Sequence, residues 1–237
     1  MARTATPQRR RHRVAGTAIV VAVLMVFLAT AWSFGYVRVP GVPMALLSRS
    51  AEVDTASRQA KARAEHRLQE VVGVLPGAPR PLGAAAADRC LRNLPFEGEP
   101  SGPLSCQWRL ERYVVLDGDL RTVGDAWGEV LGDGRWIGMR ARLPSDEGSA
   151  SERYEYRDAG THDRLVVTLV RDSEALRLLD VAPRFEGVEV YERERRSFAS
   201  WKAAGRAVAE GRTVARISLV RAYYSENGSA PFEPQYW

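Results

Sequence analysis

The run SCQWRLERYVVLDGDL, Ser105 to Leu120, alternates in steps of two before it turns. Cys106, Trp108, Leu110, Val114 and Leu116 fall on one side, and Gln107, Arg109 and Glu111 on the other. That is the period of a strand with one buried face. Arg112 interrupts the apolar side, which predicts a sheet covered only in part. Asp117 to Asp119 turns the chain, and the Asp119 carboxylate is placed to cap a helix. That helix, Leu120 to Leu131, sets Leu120, Val123, Trp127, Val130 and Leu131 on one face. Gly132 and Gly134 stop it.

Downstream, RWIGMRARL alternates Ile137, Met139, Ala141 and Leu143 against Arg140 and Arg142. RYEYR and DRLVVTLVRD read as two more strands, the second apolar on both faces and therefore central. EALRLLDVA fits helix or strand, and GVEVYER a short strand. SFASWKAAGRAVAEG is a helix with Phe198, Trp201 and Val208 in phase, and TVARISLVRAYYS a last strand. Upstream, AEVDTASRQAKARAEHRLQEVVGVL repeats Val53, Ala56, Ala60, Ala64, Leu68 and Val71 at three and four residues, a helix. PGAPRPLG, Pro76 to Gly83, breaks it. The reading is an α+β fold, a mainly antiparallel sheet with helices over one face, and a split βαβ unit is its specific version.

The chain has 237 residues, 45% hydrophobic and 27% charged, which excludes disorder throughout. Its net charge of +5 equals the charge of Arg3, Arg9, Arg10, Arg11 and Arg13. Taking those five from the 34 basic residues leaves 29, against 29 acidic ones. The basicity belongs to the tail, so a nucleic-acid partner is not expected.

The tail abuts VAGTAIVVAVLMVFLATAWSFGYV, Val14 to Val37, which carries no charge. As a helix it spans about 36 Å, enough for a hydrocarbon core of about 30 Å. Arginines on its N-terminal side predict a cytoplasmic N-terminus and an exported remainder, with Trp32 and Tyr36 near the outer interface. The rival is a secreted protein cleaved at the ATA site ending in Ala31. The apolar run continues past that site, which favours an uncleaved anchor. The expected organisation is a cytoplasmic tail (1–13), a transmembrane signal-anchor (14–37), a linker (38–50), an extracytoplasmic domain (51–224) and a C-terminal tail (225–237).

No catalytic, cofactor-binding or metal-binding residue is assigned. His12, His66 and His162 lie apart, without zinc-ligand spacing. DGDLRTVGDAWGE fails as a calcium loop: Arg121 stands where an oxygen ligand is needed, Thr122 where glycine is, and Gly128 where the bidentate glutamate is. GDGRWI lacks the last glycine of a dinucleotide loop, and there is no G-x-S-x-G elbow. YERERRSF interleaves both signs and reads as an exposed strand or helix start. Asn227 to Ser229 matches a glycosylation sequon. A carboxylate pair acting as acid and base is the enzymatic alternative.

Cys90 and Cys106 are the two cysteines of the chain. An exported domain meets an oxidising environment, where a bridge between them persists. Free buried thiols are the alternative for a cytoplasmic domain. The loop tip, Phe96 to Pro103, is plain surface or a docking point for an envelope protein.

Ser105 to Trp136, behind a first cysteine and a polar loop, resembles a family of single-span, membrane-anchored proteins of high-GC Gram-positive bacteria. In these proteins an exported domain carries two cysteines before a strand, a DGD-like turn and a helix. Thirty-two arginines against two lysines suit a high-GC genome. The resemblance implies an anchored, exported and bridged domain, and implies no catalytic residue. The expected function is a binding or structural module of the cell envelope, with an envelope hydrolase as the alternative.

Overall fold

The computed structural model describes residues 43–93, 102–133, 135–140, 150–179 and 188–226. The basic tail, the charge-free span, the start of the linker, the loop at 94–101 and the Asn227 sequon lie outside these residues. Among the described residues no helix is long and apolar enough to cross a membrane.

The chain forms α1 (Met44–Leu47), α2 (Ala51–Val74), β1 (Arg80–Asn93), β2 (Ser105–Leu116), α3 (Leu120–Gly132) and β3 (Trp136–Arg140). It continues through β4 (Ser151–Asp158), β5 (Arg164–Val170), α4 (Ser173–Leu178), β6 (Val188–Arg196), α5 (Trp201–Ala209) and β7 (Thr213–Ser225). Seven strands make one sheet, ordered β3-β4-β5-β7-β2-β1-β6, and each neighbouring pair is antiparallel. The α+β class and the antiparallel sheet are as expected. β2 and β3, joined through α3, run the same way with β7, β5 and β4 between them.

The even positions of β2 face the main core. Trp108, Leu110, Val114 and Leu116 join Leu165, Val167 and Leu169 of β5 and Ile217 and Leu219 of β7 there. α2 lies over β2 and β7 and adds Ala60, Ala64, Leu68 and Val71. α3 lies over β3, β4 and β5 and adds Val123, Trp127 and Leu131. Each large side chain buried here contributes about 1.5–3 kcal/mol. Asp119 caps α3 as expected, its Oδ1 accepting the Thr122 N–H at 3.0 Å. Gly124 lets α3 down onto β4, because a Cβ there would overlap the Tyr154 hydroxyl. Trp127 Nε1 donates to Pro76 O at 3.0 Å and ties α3 to the turn after α2.

Three expectations need correcting. Residues 80–93, expected as a break and a loop, form β1, paired with β2 on one side and β6 on the other. Alanines are poor strand formers alone, and a two-sided ladder overrides that preference. Helices also cover both faces of the sheet. The odd positions of β2 become apolar at Tyr113 and Val115, and these pack with Val170, Val214 and residues of α4 and α5. The expected phase of β3 is reversed: Trp136 is buried and Ile137 is 60% exposed. The larger indole gains more from burial on this edge strand. The ambiguous EALRLLDVA segment supplies α4, and the charged YERERRSF stretch supplies the largely exposed end of β6. Met44 of α1 packs with Val53 over Cys90 and Cys106.

Candidate functional site

Arg109, Glu111 and Tyr113 project from the β2 face opposite Trp108. On β1 they stand across from Ala87, Ala85 and Gly83, and on β7 from Val220, Ser218 and Arg216. The small β1 side chains leave a hollow of about 80 Å³. Gly83 is part of the same fit, since a Cβ there would stand 3.0 Å from the Phe198 ring. Tyr113 stacks on Phe198 with centroids 3.9 Å apart, and Trp201 meets both rings edge-on. These aromatics wall one side.

The rest of the charged lining is Arg89, Arg109, Arg195, Arg196 and Arg216, against Glu111 as its one acid among the described residues. Glu111 is satisfied twice, by Arg109 Nε at 2.8 Å and by the Tyr113 hydroxyl, which donates at 2.9 Å. Burial and the Glu111 charge push the Tyr113 phenol well above its ordinary pKa, so it stays a donor. Arg89 pairs with Glu192 at 3.0 Å, and Arg195 reaches that same carboxylate only at 3.9 Å. Arg216 donates from Nη1 to Leu179 O at 3.0 Å, a neutral acceptor, and its Nε has no hydrogen-bond partner. Burial, then the neighbouring Arg109, push its guanidinium pKa down, with Glu111 acting the other way. Arg195, opposite Ala87 on the pocket face, is exposed, whereas Arg196 stands opposite Ala86 on the other face of the sheet. α5 starts at the rim, where Ser200 supplies no side-chain cap. The first N–H groups of a helix carry partial positive charge. The site thus holds more positive charge than its own acid neutralises.

A second hollow, about 440 Å³, lies between α2, Arg135 and the β4–β5 turn. It bears on the expectation of a carboxylate pair, because Asp163 lines it and Asp158 is held by Arg67 and Arg135 of the same lining. Asp158 is fully buried, with Arg67 at 3.0 Å, Arg135 at 2.8 Å and the N–H groups of Gly160 and Thr161 both at 2.8 Å. Burial raises its pKa, but those N–H groups and Arg135 outweigh it and hold the carboxyl below the usual range. Asp163 is 3% exposed and pairs with Arg221 at 3.1 Å; burial pushes its pKa up. The two carboxylates differ as an acid and a base would. Both are enclosed, however, and Asp158 is fully engaged by its donors.

Cys90 and Cys106 are bridged, opposite each other across β1 and β2 with Cα atoms 4.0 Å apart. Trp108 shares the Cys106 face, and its Nε1 donates to Ser57 Oγ at 3.0 Å. Ser57 donates to the buried Asp88 at 2.7 Å, as does Tyr223 at 2.6 Å, and Arg193 pairs with it at 3.0 Å. This network fastens α2 to β1, β6 and β7. His66 lies on α2, 3.3 Å from Glu70, and His162 sits in the β4–β5 turn at φ 59°. His12 lies outside the described residues.

The arginine pocket is not among the sites expected from sequence. Arg216 in the apolar run TVARISL is its one available signal, since arginine is rarely buried without a partner. Compared with known families, curated proteins and solved structures, the chain matches none.

Proposed function

We propose that the chain is a membrane-anchored, extracytoplasmic binding module of the cell envelope, and that the arginine pocket is where it holds an anionic envelope component. The observation that carries this reading is the surplus charge of Arg195 and Arg216 around one small hollow. Buried and half-buried cations call for an anion. The charge-free run at 14–37 supports the anchor, with the N-terminus cytoplasmic. The Cys90–Cys106 bridge suits an oxidising compartment. A form secreted after cleavage at Ala31 would bind in the same way.

A protein partner seated on an apolar patch is less well supported. Among the described residues the exposed large apolar side chains Leu46, Val74, Ile137, Leu178 and Val190 are scattered over five elements. The envelope hydrolase has the Asp158 and Asp163 pair in its favour and the enclosure of both against it.

Retention of the purified full chain on sedimented envelope fragments tests the reading. At low salt the chain is retained, and the variant Arg195→Gln binds about tenfold more weakly. Equal retention of the variant contradicts it.

A further inference from the structure

We infer that the arginine pocket takes a phosphate group, either free in solution or as the terminal group of a lipid or polymer. This rests on the binding reading above and names its ligand class. The hollow measures about 80 Å³. A water needs about 10–15 Å³ on such a measure, so the space suits a group of roughly five to eight heavy atoms. A phosphate fits, whereas whole drug-sized ligands need about 300–1,000 Å³.

The charge points the same way. Arg109 is neutralised by Glu111 and Arg89 by Glu192. Arg195, which reaches Glu192 only at 3.9 Å, and Arg216 remain, one from β6 and one from β7. A carboxylate has one charge and two oxygens, enough for one guanidinium fork. A phosphate monoester carries about −1.5 to −2 charges at pH 7 and three acceptor oxygens, which matches several forks. The uncapped start of α5, where Trp201 lines the hollow, adds the partial positive charge of a helix N-terminus.

The experiment uses the full chain in neutral detergent at constant ionic strength, with chloride replaced by inorganic phosphate or by acetate. A parallel arm offers phosphatidylcholine vesicles with and without phosphatidate. Phosphate raises the melting temperature and acetate does not. Arg195→Gln, at an exposed position, weakens phosphate binding about tenfold, and Arg63→Gln on α2 leaves it unchanged. Arg216→Lys keeps the charge, loses the fork and binds more weakly. Retention on phosphatidate vesicles identifies a membrane-borne phosphate, and response to soluble phosphate alone identifies a free one; either supports the inference. Acetate acting as well as phosphate overturns the phosphate assignment and leaves anion binding standing. No response to any anion overturns both. Equal losses in Arg195→Gln and Arg63→Gln overturn the location.

Discussion

Asp158 shows how this protein handles a buried charge. Its carboxylate holds two arginines and two backbone N–H groups at one end of β4, and it is fully buried. Removing one partner from such a set strands the others. Its folded pKa lies below the ordinary 3.8. The stability it contributes is therefore complete above that value and is lost as pH falls through the lower folded value. Asp88 and Asp163 have the opposite sign, since burial raises both and their protonation in acid favours the folded state. Asp158→Asn is predicted to lose about 3 kcal/mol near neutral pH, with the deficit shrinking in strong acid. Urea unfolding of variant and parent across pH checks this, and a pH-independent deficit contradicts it.

Among the elements, the paired strands β1 and β2 carry the bridge. Cys90 and Cys106 are 16 residues apart in sequence. Closing a loop of that length removes about 3 kcal/mol of chain entropy from the unfolded state. The double variant Cys90→Ala/Cys106→Ala is predicted to unfold at lower urea by about that amount, and an unchanged midpoint contradicts the bridge's stabilising role. These two strands also mark what sequence can reveal. β2 is legible because Trp108, Leu110, Val114 and Leu116 alternate cleanly and Asp119 caps the next helix. β1 is not, because Pro81, Gly83 and four alanines carry no strand signal and the pairing that makes them a strand is non-local. The pocket is hidden for the same reason. Its floor is the alanines, and its arginines come from β1, β2, β6 and β7, which only the sheet order brings together.

Across the molecule, the proposed compartment is the premise that joins the bridge, the anchor and the anionic ligand. A net-neutral remainder behind a tail of five arginines, with an uncharged run between them, is the arrangement expected of a chain whose N-terminus stays in the cytoplasm. The folded unit gathers surplus positive charge in one small hollow built from its own strands. The decisive measurement is protease added to intact cells, followed by detection of the N-terminal and C-terminal ends of the chain. An anchored, exported domain is digested while a short N-terminal fragment stays with the membrane. A domain left intact until the cells are lysed contradicts the export on which the proposed function rests.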